Sequence, residues 1–221
     1  MLQKTKIIFA LILFHIPIDA EIEEIITTGS LIENSEIDSS PISLISADDY
    51  KNFNISNIAE ISKYISSSSG SHFQSNTLDG VDQGMAAITL RGLDHASTLL
   101  LIDSKRHTFA GTPSNDGEGY IDANIIPEIA LKQIEILKEG STSIYGSDAV
   151  AGVINVITNN DFKGLKFQIG HQETDNYDQN DTTIGVLYGS AFKKGNYVIG
   201  INVLDRSPLP AKEIPGIAEL A

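Results

Sequence analysis

The 221-residue chain contains no cysteine, which excludes a disulfide framework, a thiolate metal site and a cysteine nucleophile. Its formal charge of −14 and pI near 4.6 argue against a nucleic-acid partner, because phosphate contacts need clustered Lys and Arg and no basic stripe occurs. The chain opens with Lys4 and Lys6, an apolar run over residues 7–16, a break at Pro17 and a small residue at Ala20. That order reads as a secretory signal peptide over residues 1–20, with a buried N-terminal strand or helix as the alternative. The apolar run is too short for a transmembrane helix, which needs about 20 residues. Lipoprotein processing is excluded for want of a cysteine. Removing two lysines and one aspartate with the signal takes the charge from −14 to about −15.

Directly behind the cleavage site, Glu23 and Glu24 precede Ile25, Ile26, Thr27 and Thr28, which favour extended structure. Gly29-Ser30 then frees the chain. On the residues alone this is either a detachable extended segment or an ordinary first strand. Residues 42–46 alternate like a strand. Ile55, Ile58, Ile61 and Ile65 share one face of an amphipathic helix expected over 54–65, with Asn54 or Ser56 as its cap. Residues 66–84 and 107–119 are polar and expected as surface loops.

A strand–turn–strand unit follows. Ile134, Glu135, Ile136 and Leu137 form the first strand, which Gly140 ends, and Ser141 or Thr142 caps the turn behind it. Residues 145–149 read as a tight helical turn. Ala149, Ala151 and Gly152 are small enough for close backbone approach, and Val153, Ile154, Val156 and Ile157 resume a β-branched strand.

Residues 126–160, IPEIALKQIEILKEGSTSIYGSDAVAGVINVITNN, resemble the signature end of the plug domain of TonB-dependent outer-membrane receptors. ITLRGL at 88–93 and TLLLIDSKR at 98–106 are similar to the family's strand, Arg-Gly-Leu turn, strand and Asp-Gly turn. Ser104 stands where the family has glycine, which leaves the turn type open, since a non-glycine residue resists positive φ. Asp122 and Pro127 also match, and the resemblance runs from about Glu23 to Pro208.

The resemblance implies a TonB box at Glu23, Glu24, Ile25, Ile26, Thr27 and Thr28. Such a box adds as an edge strand to the periplasmic partner TonB, and backbone hydrogen bonds supply the affinity. It implies a plug over 31–160, behind a box segment at 21–30. Its ligand-facing loops would be 71–84, 94–96 and 108–119, with His72, Gln74, Asn76, Asp94, His95 and Phe109 as candidate contacts. Arg91, Glu135 and Glu139 would hold the plug inside a barrel or pair within the plug. Arg91 and Glu135 lie in apolar strands, where an unpaired charge is costly.

From residue 164 the pattern changes. Leu165, Phe167 and Ile169 alternate with polar residues; Ile184, Val186, Tyr188 and Phe192 share a face; so do Tyr197, Ile199, Ile201 and Val203. Lys193-Lys194-Gly195-Asn196 reads as a tight hairpin between the last two runs. Alternating segments of about ten residues joined by short turns mark transmembrane β-barrel strands, although a soluble sandwich looks the same strand by strand. Position behind a plug, and an ending at 205–209 that resembles the family's third strand, favour the barrel. The fold expected is therefore an α+β plug, a small mixed sheet with short helices, followed at 164–221 by about three antiparallel strands of an incomplete transmembrane β-barrel. The family's 22-stranded barrel needs well over roughly 400 residues, so the chain reads as the plug-containing portion of a longer receptor, not transport-competent alone.

No enzyme motif is present. Residues 145–149 lack the glycine two positions past Ser147 that a nucleophile elbow requires, and the five histidines form no HxxxH or HExxH pair. Asn115-Asp116-Gly117-Glu118 begins like a calcium loop but lacks the remaining ligands. Neither a metal nor a cofactor is implied. The reading is a Gram-negative outer-membrane receptor for active uptake of a scarce nutrient such as a siderophore, cobalamin or oligosaccharide, with TonB, the extracellular substrate and outer-membrane lipid as partners. The alternative is a secreted, soluble, plug-like binding module.

Overall fold

The computed structural model describes residue 28 and residues 42–53, 57–68, 86–93, 95–111, 113, 117, 119–138, 142–175 and 179–209. The signal peptide, Glu23 to Thr27, His72, Gln74, Asn76, Asp94 and Glu139 lie outside the described residues.

Five strands make a mixed sheet in the order β1-β4-β5-β2-β3: β1 (Ile42–Ser46), β2 (Thr98–Ile102), β3 (Lys105–Arg106), β4 (Leu131–Leu137) and β5 (Gly152–Thr158). Neighbours run antiparallel except β2 and β5, which are parallel. Alternation assigns the faces. Ile134 and Ile136 oppose Val156 and Ile154, and these four enter the main core with Ile61 and Leu90. Gly152 takes φ 141°, and a Cβ there would lie 2.6 Å from the Leu137 carbonyl oxygen. This is the close approach that the small residues around it require.

Helical structure departs from the sequence expectation. A short helix, α1 (Ala47–Asn52), was not anticipated; Ser46 caps it, its Oγ accepting from the Asp49 N–H at 3.1 Å while Asp49 accepts from the Ser46 N–H at 3.2 Å. The helix expected over 54–65 is instead a 3₁₀ segment, Ile58–Lys63, and its cap is Asn57, not Asn54 or Ser56. Ile58 and Ile61 are buried at the three-residue spacing of a 3₁₀ turn, which serves the same apolar stripe. Tyr64, which caps its C-terminal end, stacks on Phe53 at the end of α1 with ring centroids 4.3 Å apart.

Two further corrections concern the Arg-Gly-Leu block. Residues 88–90 belong to no strand, and Arg91 is not in a strand: it sits exposed in a turn at φ 59°, followed by Gly92 at φ 68°. The Asp103-Ser104 turn keeps both central residues at positive φ, 48° and 62°, despite the missing glycine. Such a conformation costs about 1–2 kcal/mol per residue. Asp103 offsets it by accepting from the Thr158 N–H and hydroxyl at 2.8 Å, and Ser104 N–H donates to Asn155 Oδ1 at 2.9 Å.

The connection from β4 to β5 carries α2 (Thr142–Tyr145) and a 3₁₀ turn, Ser147–Ala149, so the expected tight helical turn is two short pieces hinged at Gly146. A second sheet follows, β6 (Gly164–Glu173), β7 (Asn180–Phe192) and β8 (Gly195–Arg206), an antiparallel meander. Lys193-Lys194 forms the hairpin turn, with Phe192 opposite Gly195. One face carries Phe167, Ile169, Tyr188, Ile199 and Ile201, all exposed, Ile169 at 79%. The other face packs on the plug, where Leu187 meets Ile129 and Ala130 beside Phe162 and Val198. Gly189 is required there, because a Cβ would lie 2.0 Å from the Phe162 carbonyl oxygen. Among the described residues the second sheet is open, with three strands and no closed barrel.

Candidate functional site

Three places concentrate polar chemistry. The first lies on the second face of the plug sheet, opposite the main core. There Leu99, Leu101, Leu137 and Val153 make an apolar half, roofed by Ala149 and Tyr145. Gln133, Glu135 and Asn155 make a polar half of the same face, and Glu135 pairs across the strands with Asn155. Glu135 and Asn155 are fully buried, at 0% exposure. The Glu135 carboxylate accepts from Gln133 Nε2 at 2.7 Å and Asn155 Nδ2 at 3.4 Å. It also accepts from Thr28, both the backbone N–H at 2.9 Å and the hydroxyl. Asn155 Nδ2 donates to Thr28 Oγ at 2.9 Å and to Ser104 Oγ at 3.1 Å.

The second place is a cleft of about 350 Å³ that brings together His95, His107, Phe109, Arg106, Tyr120 and Asp148. The 3₁₀ turn His95–Ser97 positions His95, which is 5% exposed and meets Tyr120 edge-on at 6.0 Å. Phe109 stands 65% exposed on a loop whose base is closed by Ala110 N–H donating to the Tyr120 carbonyl at 2.8 Å. Arg106 bonds Asp148 at 2.5 Å and the Tyr145 carbonyl. That hydrogen bond from Arg106 holds the Asp148 carboxyl below the usual carboxylate range. Of the six candidate ligand contacts, His95 and Phe109 are thus described, and they share one cleft.

The third place is the seam between plug and second sheet. Arg206 on β8 opposes Asp181 on β7 and bonds both its oxygens, at 2.9 and 2.6 Å. The same guanidinium reaches Glu60 of the plug's 3₁₀ segment at 2.9 Å. Further along, Glu128 accepts from Tyr50 Oη at 3.3 Å and Gln168 Nε2 at 3.4 Å, while Lys166 Nζ donates to the Ile129 carbonyl at 3.4 Å. Burial pushes the Glu128 carboxyl up to about 7, and burial beside Glu128 raises the Tyr50 phenol well above its ordinary value.

The sequence reading named Arg91, Glu135 and Glu139 for the ionic contacts and missed Glu60, Asp181 and Arg206. A signal for two of them existed: once Lys193-Lys194 is taken as the hairpin turn, strand pairing sets Asp181 opposite Arg206. Asn155 was also missed, although a polar residue in the VINVIT strand directly across from Glu135 satisfies the same pairing rule. Glu60 carried no local signal.

The plug-domain model of TonB-dependent receptors, "TonB-dependent Receptor Plug Domain", matches residues 36–153. An iron-regulated outer membrane virulence protein of Vibrio cholerae is 41% identical over 75 residues, which are 34% of this chain and 12% of that protein. Among solved structures, the siderophore receptor PirA of Acinetobacter baumannii matches at 24% identity and a TM-score of 0.53, over 74% of this chain and 24% of that one. The ferric citrate transporter FecA matches at 17% identity and a TM-score of 0.57, over 76% of this chain and 26% of that one. Both structural likenesses concern the fold, and the chain spans about a quarter of those structures' length. The chain belongs to the TonB-dependent receptor plug domain family, a family of outer-membrane receptors that are not enzymes.

Proposed function

We propose that this chain is the plug and the first barrel strands of a receptor that takes up ferric siderophores. One observation carries the receptor reading: the second sheet is apolar on its outward face and seated on the plug by its inward face. Ten large apolar side chains on one side of three strands suit lipid, and water on that side would invite aggregation. This weighs against the secreted soluble module. The iron and siderophore assignment draws on the names of the relatives, an iron-regulated outer membrane protein and siderophore receptors.

In this reading residues 31–160 are the plug, 164–221 begin the barrel wall, and Glu23 to Thr28 form the TonB box. Substrate meets His72, Gln74, Asn76, Asp94, His95 and Phe109. Phe109 offers an exposed ring to the aromatic or apolar parts of a chelate, and His95 and His107 offer donors to its oxygens. TonB then draws on the box and displaces part of the plug.

The test uses the mature chain purified in detergent. Tyrosine fluorescence, free of tryptophan background, follows titration with a ferric tris-catecholate, ferric citrate and cobalamin. A ferric chelate is expected to quench saturably, and Phe109→Ala to weaken that binding about tenfold, the loss of roughly 1.4 kcal/mol. Saturable binding of cobalamin alone would replace the substrate class. Recovery of the exported chain wholly in the soluble periplasm would return the soluble module.

A further inference from the structure

The outward face of the second sheet ends differently at its two ends. Its middle is three cross-strand levels deep, from Leu165, Tyr188 and Ile199 to Ile169, Ile184 and Val203, and carries only aliphatic or aromatic side chains. Past Ile169 the next levels set His171, Thr182 and Asp205 side by side, then Glu173 beside Asn180. Past Tyr188 the face stays aromatic: Phe192 and Tyr197 are exposed, and the Tyr188 and Tyr197 rings lie 6.0 Å apart. The hairpin turn behind them is Lys193-Lys194, both exposed, and Lys163 stands exposed at the same end, just before β6. One end of the face is thus acidic and the other basic, in a chain whose formal charge is −14.

A tyrosine at the edge of an apolar band keeps its ring in hydrocarbon and its hydroxyl at the headgroups. A lysine just beyond lays its methylenes along the apolar surface and raises its ammonium into the headgroup layer. There it meets phosphate, and an anionic lipid offers a net negative charge that a zwitterionic one lacks. Charges farther off than about 10 Å are screened at about 0.1 M salt, so the chain's overall negative charge does not cancel this local attraction. Turn length assigns the leaflet, since in such barrels short turns face the periplasm and longer loops the exterior. Lys193-Lys194 is the short turn, whereas β6 and β7 are joined across residues 174–179.

We propose that Lys193 and Lys194, with Tyr188 and Tyr197 beside them, form a binding site for anionic phospholipid headgroups of the periplasmic leaflet. The site rests on the reading above that this face meets lipid. It fixes the depth of the sheet where plug passes into wall, because Asn196 beside the turn donates to the Asn160 carbonyl. The acidic end is repelled by the same headgroups, so the contact also sets the direction of the sheet across the bilayer.

Two measurements test it on the mature chain diluted from detergent onto vesicles. Flotation reads binding to phosphatidylcholine alone and to phosphatidylcholine with phosphatidylglycerol at about 3:1, an anionic surface. Quenching of tyrosine emission by brominated acyl chains, carried by either lipid in turn, reads which lipid lies against Tyr188 and Tyr197. Brominated phosphatidylglycerol is expected to quench with about tenfold higher apparent affinity, from two lysines at about fivefold each less residual repulsion. Lys193→Gln/Lys194→Gln is expected to bring the two lipids level, and it spares the strands because both side chains are exposed in the turn. No binding to either vesicle overturns the lipid reading and the site with it. Equal quenching by the two lipids in the wild type leaves the lipid reading standing and overturns the site. A preference that survives the lysine variant or about 1 M salt overturns it too. So does quenching that survives Tyr188→Phe/Tyr197→Phe, which places the bound lipid elsewhere.

Discussion

The two sheets of this chain are written in the same alphabet and solvated in opposite ways. β4 buries residues on both of its faces, one against the isoleucine core and one against Leu99, Leu101 and Thr28. β8 alternates half-buried and exposed residues along most of its length, and its exposed large apolar ones are Tyr197, Ile199, Ile201 and Val203. In water such an exposure would be a fault; against lipid it is the lower-energy arrangement. The comparison teaches that alternation alone states where side chains point and leaves open what medium receives them.

The difference breaks most visibly at a matched pair of isoleucines. Ile154→Ala empties part of the plug core and is expected to cost about 2–5 kcal/mol, whereas Ile201→Ala in the same detergent stays within about 0.5 kcal/mol. Urea unfolding of the two variants reads this directly, and equal losses would erase the distinction between the sheets. The next largest effect lies at the junction. Arg206→Gln leaves the Glu60 and Asp181 carboxylates facing each other without their shared cation. Allowing for residual solvent, the cost is about 1–3 kcal/mol. Faster hydrogen exchange over residues 58–63 is its signature, and Glu60→Gln should reproduce that change while sparing the β7–β8 ladder.

The seam should also respond to pH. Glu128 is held above its ordinary value of 4.5, to about 7, chiefly by burial. The folded chain therefore binds more protons than the unfolded one between these values, so stability is full below about pH 4.5 and falls as pH rises through about 7. After solvent screening the change is on the order of 1–2 kcal/mol. Glu128→Gln should flatten it, and a wild-type and variant profile that run parallel from pH 4.5 to 8 would refute the assignment. The smallest effect belongs to Ser104→Gly. It relieves positive-φ strain but deletes the Oγ that accepts from Asn155, so the unfolding midpoint should move by no more than about 0.5 kcal/mol.

Much of this was legible in the residues. The runs at 42–46, 98–102, 134–137 and 153–157 are strands, the Lys193-Lys194 hairpin sets the register of β7 and β8, and the small residues before Val153 do permit a close approach. The misses have physical causes. The isoleucine stripe at 58 and 61 fits a helix and a 3₁₀ turn equally well, so the spacing alone did not separate them. Arg91 looked like a buried strand charge because its neighbours are apolar, yet the chain reverses there and leaves it exposed.

Local chemistry alone therefore determined which segments form the strands at 42–46, 98–102, 134–137 and 153–157, and that residues 165–203 carry a wide apolar face. Each of these follows from side-chain periodicity and backbone preference within a few residues. The tertiary structure decided what meets what: Thr28 on Glu135 across 107 residues, and Arg206 on Glu60 across 146. A buried carboxylate states only that it needs donors; which distant segment supplies them depends on how the chain closes.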